Sequence, residues 1–180
     1  MKKEIILKGK GFIVRPYKKG DDISLKKYAK NKTIFKNYVT YSISSDMDKE
    51  VEKFINMSVV KKYNEKSKFN FVIDIDGVAV GVIGGYVLQN KKFIFSFGYW
   101  LGAKYWGKGI ASEAVKLYTK YIFKNFKDIQ RIETTVSLWN RASKRVLEKN
   151  GFKLEGILRK NNEYRGKIID KYLFSKLRND

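Results

Sequence analysis

The sequence contains no cysteine and no histidine, and one proline, Pro16, in 180 residues. Without cysteine there is no disulfide, no thiolate zinc site and no thiol nucleophile. Without histidine the most common general base and metal ligand is gone. Any catalysis must therefore use carboxylates, Tyr or Ser hydroxyls, Lys, Arg, backbone groups or water. Acyl-enzyme mechanisms of the Cys-His or Ser-His kind are excluded. Acidic residues are also scarce: 18, against 39 Lys and Arg, for a formal net charge of +21. No apolar run approaches the roughly 18 residues of a membrane span. The segment Met1-Lys2-Lys3-Glu4-Ile5-Ile6-Leu7 has a basic start but no sustained apolar stretch and no small-residue cleavage site. These absences lead to the expectation of a cytoplasmic protein with no membrane partner and no metal.

What is present suits one folded unit. Hydrophobic residues make up 43% of the chain, enough to bury a core. No Gly/Ser linker or repeat marks a boundary, so residues 1–180 are read as a single domain. The positive charge invites a nucleic-acid reading. The charges are spread along the chain, however, with no long basic run and no recognisable nucleic-acid motif. Specific nucleic-acid binding is therefore set aside, and only transient attraction to RNA or ribosomes follows from the field.

Local pattern gives a mixed order of elements. Phe12-Ile13-Val14-Arg15 reads as an edge-like strand stopped by Pro16. Asp21 and Asp22 offer caps for a short helix carrying Ile23, Leu25, Tyr28 and Ala29. A second helix is expected from Ser45-Asp46, with Met47, Val51, Phe54, Ile55, Ser58 and Val59 on one face. Phe69, Phe71, Ile73 and Ile75 have the alternation of a half-buried strand. Asp76-Gly77 signals a tight turn into Val78, Val80 and Val82. After a turn at Gln89-Asn90-Lys91, Phe93, Phe95, Phe97 and Tyr99 alternate again. The period then changes to helical from Ile110 to Phe126, with Ala111, Ala114, Val115, Tyr118 and Ile122 in register. A strand over Arg131–Val136, a helix from Arg141 to Asn150 closed by Gly151, and strands over Phe152–Leu158 and Lys167–Leu177 complete the chain. The class is α/β or α+β around a central sheet.

One segment carries chemistry. In Tyr99-Trp100-Leu101-Gly102-Ala103-Lys104-Tyr105-Trp106-Gly107-Lys108-Gly109-Ile110-Ala111 a strand ends, a Gly-rich loop follows and an amphipathic helix opens. Such a helix start exposes unpaired N–H groups and the positive end of the dipole. Gly107 and Gly109 let backbone approach an anion closely. The loop lacks P-loop register and the three-glycine dinucleotide spacing, so a diphosphate is its natural guest, with simple capping the competing reading. A second block follows, Asn140-Arg141-Ala142-Ser143-Lys144-Arg145-Val146-Leu147-Glu148-Lys149-Asn150-Gly151-Phe152, then Leu154-Glu155-Gly156.

Together the two blocks resemble the GNAT superfamily of N-acetyltransferases, and within it the ribosomal-protein N-terminal acetyltransferase branch of RimJ/RimL type. The resemblance covers about Phe12 to the C-terminus and is strongest from Gly98 to Gly156. It implies a single mixed, mostly antiparallel central sheet flanked by helices, with a splayed strand pair holding acetyl-CoA. Trp106, Gly107, Lys108, Gly109, Ile110 and Ala111 would supply amides to the pyrophosphate. The strand through Tyr99, Trp100 and Leu101 would splay and pair with pantetheine. Asn140 would bond the pantetheine arm, with plain helix capping as its bland alternative, and Ser143 would sit near the thioester sulfur.

The implied reaction is direct attack of an amine on the thioester in a ternary complex, with a strand N–H holding the oxyanion. An α-amino group, with a pKa of about 8, needs only modest help losing its proton, and a carboxylate acting through water is enough. The carboxylate is the open point. Many members of the branch carry Glu where this chain has Ser96. Glu163 on the penultimate strand stands one residue out of the usual register, which reverses its face. Glu133 is a third candidate, with a cross-strand surface charge as the plainer reading. Leu147 occupies the position of the Tyr acid used by many relatives outside the branch, which pushes the acid role to Ser143, with Tyr164 as a substitute. The resemblance suggests a protein or peptide N-terminus as acceptor, and the charge favours an acidic one. A small amine, polyamine or aminoglycoside, is the alternative, with Asp46, Asp48 and Glu50 as candidate acceptor-side acids beside a capping role. A non-catalytic acetyl-CoA-binding module and a ribosome- or RNA-associated scaffold are the rivals from other classes. A homodimer is left open.

Overall fold

A computed structural model describes residues 5–31, 33, 34, 37, 47–58, 69–164 and 166–180, without the side chains of residues 47, 48, 50, 53, 57 and 58. Strands β1 (Leu7–Gly9), β2 (Phe12–Pro16), β3 (Phe71–Ile75), β4 (Val78–Leu88), β5 (Lys91–Leu101), β6 (Arg131–Ser137), β7 (Lys153–Tyr164) and β8 (Lys167–Leu177) form one sheet. The order is β1-β2-β3-β4-β5-β6-β8-β7. Every pairing is antiparallel except β5 with β6. The sheet is thus mixed and mostly antiparallel, in agreement with expectation.

Turn chemistry sets much of this register. Asp76 and Gly77 both take positive φ, 52° and 81°, as a two-residue turn between right-twisted strands requires. Pro16 ends β2, but β2 is not an edge: Leu7↔Val14 and Gly9↔Phe12 place β1 outside it. The short Leu7–Gly9 segment carries too little alternation to be seen in the sequence.

Helices α1 (Asp21–Ala29) and α2 (Met47–Ser58) cover one face of the sheet. Helices α3 (Ile110–Asn125) and α4 (Arg141–Lys149) cover the other. Coverage on both sides corrects the reading of β3 as half-buried. Phe71, Val72, Ile73 and Asp74 are all buried, because alternate residues meet different helix layers. Asp74 is tolerated there because Arg15 donates to it at 2.7 Å and also bonds both oxygens of Asp21 at 2.7 and 2.8 Å. Asp21 therefore does not cap α1. The cap position is Gly20, at φ 95°, while the Asp21 carboxylate holds Arg15 and the Lys18 N–H. Ile23, counted on the helix face, is 75% exposed, while Leu25 and Ala29 are buried.

The larger core lies under α3 and α4, where Ala114, Val115, Tyr118 and Ile122 pack against Phe71, Phe95, Phe97, Ile132 and Phe174. The spacing is the helical stripe read from sequence. Arg178 donates to the carbonyls of Phe123, Phe126 and Ile129, so a fixed cation satisfies the end of α3. Strand β7 continues past the expected Leu158 to Tyr164, with irregularities at Leu154/Gly156 and Leu158/Asn162. The start expected for α2 at Ser45-Asp46, and Val59, lie outside the described residues. So do Asp46 and the side chains of Asp48 and Glu50, the candidate acceptor-side acids. Among the described residues no helix is long and apolar enough to cross a membrane.

Candidate active site

The one parallel contact in the sheet is short. β5 pairs β6 at Ile94↔Arg131, Phe95↔Ile132 and Ser96↔Glu133, and no further. Beyond Ser96, β5 runs five more residues and β6 runs four beyond Glu133 without pairing. The sheet therefore opens into a V whose apex lies at Ser96 and Glu133.

Ladder alternation decides which backbone groups line the opening. The Gly102 N–H bonds the Val80 carbonyl, and in an antiparallel ladder this bonding recurs at every second residue. Gly98 and Trp100 thus turn their N–H and C=O toward β4. Tyr99 and the Leu101 N–H face the gap, while the Leu101 carbonyl is taken by the Trp106 indole N–H at 2.7 Å. On the far side the Arg178 N–H bonds the Gln130 carbonyl. By the same alternation β6 shows its Thr135 groups to the gap. Trp100 is therefore a correction among the sequence candidates. Its backbone is used by β4, and its side chain is buried under α1 and α2 beside Phe54. Thr135, which no motif marks, joins the lining.

The mouth of the V meets the Gly-rich loop. A single 3₁₀ turn, Ala103–Tyr105, leads to Gly107 and Gly109, with φ 75° and 78°. Gly109 stands at the cap of α3 with no side chain capping it. A Cβ at either glycine would meet nothing within 4 Å, so the concavity is open. Among the described residues the amides of Gly107, Lys108, Gly109, Ile110 and Ala111 have no hydrogen-bond partner. Those five donors at the positive end of a helix of 16 residues fit a diphosphate. Trp106 departs from this set. Its amide already donates to the Ala103 carbonyl, so it closes the turn and braces β5 through its indole.

Helix α4 supplies the third wall. The Asn140 Oδ1 accepts the Ser143 N–H at 3.1 Å, the helix-capping role, and its amide NH₂ has no partner among the described residues. Ser143 Oγ lies 2.9 Å from the Tyr99 hydroxyl. Burial pushes the Tyr99 phenol up to about 12, against a smaller opposing effect of the Ser143 bond. Leu147 is fully buried in the core and has no access to the gap. The Asn150 side chain ties α4 to the Ser112 carbonyl and hydroxyl of α3 at 3.1 Å each.

On the opposite face, under α1 and α2, the apex shows Tyr86, Ser96, Glu133 and Ser175 in one row, from Tyr86↔Ser96, Ser96↔Glu133 and Glu133↔Ser175. Glu133 accepts from Arg131 Nε at 2.8 Å, and both guanidinium ends of Arg131 bind Glu155 at 2.5 Å. Glu155 also accepts from Ser175 at 2.6 Å. The Arg131 guanidinium and then the Ser175 hydroxyl lower the Glu155 carboxyl to about 2. Glu163 is not brought to this row. It is exposed on β7, and its neighbour Tyr164 packs at a tilt against Trp139 with ring centroids 5.5 Å apart, so alternation turns Glu163 to the other face.

A family model described as an acetyltransferase (GNAT) domain matches residues 12–153. A probable N-acetyltransferase of Bacillus subtilis, YjcK, is 31% identical over 165 residues, covering 89% of this chain and 91% of that one. A spermidine N(1)-acetyltransferase of Escherichia coli is 27% identical, covering 65% of this chain and 66% of that one. A GNAT-family acetyltransferase from Bacillus anthracis superposes with TM-score 0.79 at 25% identity, covering 98% of this chain and all of that one. The ribosomal-protein-S5-alanine acetyltransferase of Vibrio fischeri shares the fold with TM-score 0.76 at 22% identity, covering 98% of both chains. A gap between strands that ends at uncapped amides is what a long thioester cosubstrate requires, and the chain belongs to the GNAT acetyltransferase family as an acetyl-CoA-dependent N-acetyltransferase.

Proposed function

We propose that the acceptor is the α-amino group of a protein or peptide, which attacks acetyl-CoA directly in a ternary complex at the apex of the V. The observation that carries this reading is the state of the acids on the acceptor face. Glu133 and Glu155 both bind Arg131, so among the described residues that face offers no cluster of free carboxylates for a polycation. The net charge of +21 works in the same direction. The fold shared with a ribosomal-protein acetyltransferase agrees with it, whereas the relative that acetylates spermidine supports the small-amine alternative.

In this reading the amides of Gly107 to Ala111 bind the pyrophosphate, and Tyr99, Leu101 and Asn140 position the pantetheine arm. Glu133 takes the amine proton through water: its Oε2 is held by Arg131, and its Oε1 has no partner among the described residues. Ser143 gives a proton to the departing thiolate. The test is thiol release from acetyl-CoA with free and N-blocked peptides, spermidine and an aminoglycoside. The chain has no Cys, so a thiol reagent detects CoA alone. Release with free but not blocked N-termini is the expected result. Release with spermidine alone would overturn the reading.

A further inference from the structure

We propose that Tyr99 is a positioning residue for the acid step, holding the Ser143 hydroxyl and replacing the proton that Ser143 gives to the thiolate; this rests on the role assigned to Ser143 above. Three observations lead there. First, the Tyr99 and Ser143 hydroxyls are 2.9 Å apart, which joins the splayed part of β5 to the first turn of α4 across one wall of the donor gap. Second, Ser143 is half-buried and its backbone N–H is fixed by Asn140, so its hydroxyl has a defined place. Third, Leu147 is fully buried, so α4 itself brings no phenol to the gap, and the one that reaches Ser143 comes from the facing strand.

The chemistry balances without another reactant. The amine nitrogen forms its bond to the acetyl carbon, and the C–S bond breaks with its electron pair on sulfur. The Ser143 proton moves to sulfur as the Tyr99 proton moves to Ser143 Oγ. The proton shed by the amine returns to Tyr99 through solvent. Ser143 acting alone would be left as an alkoxide, a stronger base than a phenolate, so passing the deficit to Tyr99 lowers the barrier. Burial keeps the phenol protonated through the neutral range, with its value pushed up to about 12, so the donor form is always present. The buried Phe97 ring lies stacked beside Tyr99 with centroids 6.2 Å apart.

The experiment is a double-mutant cycle read in kcat, in KM for acetyl-CoA and in solvent isotope effect. Tyr99→Phe and Ser143→Ala should each lower kcat, by roughly a hundredfold, with KM for acetyl-CoA within about twofold of wild type. The double variant should be no slower than Ser143→Ala. The proton inventory should change from two protons in flight to one in Tyr99→Phe. Multiplicative losses in the double variant, or wild-type kcat in Tyr99→Phe while Ser143→Ala is impaired, would overturn the relay and leave the Ser143 reading standing. Wild-type kcat in Ser143→Ala would remove both. Should Tyr99→Phe fold poorly, 3-fluorotyrosine at position 99 keeps the hydroxyl and packing while altering acidity. An unchanged kcat and isotope effect in that protein counts against the relay.

Discussion

At the scale of single residues, the site depends on positions whose conformation or partner is unusual. Gly109 has φ 78° and open space where a Cβ would stand. Gly109→Ala should cost about 1 kcal/mol of folding stability from the left-handed backbone alone, while acetyl-CoA still binds. Gly109→Asp adds a carboxylate against the diphosphate and should weaken acetyl-CoA by more than about tenfold, or about 1.4 kcal/mol, measured by calorimetry on the folded variant. Equal affinity in the Asp and Ala variants would place the diphosphate elsewhere. The helix-opening glycines and the Asn140 cap were legible in the sequence because their spacing is local, whereas a place for Ser143 came only from the family resemblance. The Tyr99–Ser143 contact was not legible, because it joins residues 44 apart that only the docking of α4 on β5 brings together.

At the scale of elements, ion clusters fix strands and helices to one another. Arg15 holds Asp21 at the start of α1 and Asp74 in β3, with all three side chains buried. Arg15→Met should cost about 3–5 kcal/mol, because two carboxylates are left without their cation in a dry place. A urea midpoint equal to wild type would show that the cluster contributes nothing. Arg131 with Glu133 and Glu155 bridges β6 and β7 in a wetter setting. The Glu155 carboxyl is lowered from 4.5 to about 2, so it binds protons less well folded than unfolded. Its contribution is fully present above about pH 4.5 and is lost as pH falls toward about 2. The stability gap between wild type and Glu155→Gln should therefore shrink from about pH 5 to about pH 2.5, and high salt should narrow it throughout. Sequence pattern revealed these strands and their order of appearance, but not that Glu155 rather than a surface cation would meet Arg131. The bulge at Leu154/Gly156 sets that register, and no composition rule predicts where a bulge falls.

At the scale of the whole molecule, 39 basic against 18 acidic residues make a field that steers anions. For acidic N-terminal peptides kcat/KM should fall several-fold between about 20 and about 200 mM salt, while a neutral peptide changes by less than about twofold. Equal salt dependence of the two would show that the acceptor is not drawn in by charge. The sheet itself exists because helices cover both faces. That is why β3 is buried on both sides although its sequence reads as alternating. Faces are a property of the assembly: β2 became an interior strand once β1 folded beside it.

Composition and local spacing alone determined that no thiol or imidazole chemistry operates here, that a Gly-rich loop opens a helix, and that an Asn-capped helix ends in Gly151. Those features depend on residues within a few positions of each other, where capping, turn and periodicity rules act. Tertiary structure alone decided which candidates line the gap between β5 and β6. It gave the amide of Trp106 to a turn and the backbone of Trp100 to β4, and it turned Glu163 to the sheet face opposite Glu133. It also set Thr135 at the gap and Tyr99 on Ser143. Each of these is settled by strand register and by how far β5 and β6 diverge, quantities that long-range packing fixes and that no short stretch of sequence contains.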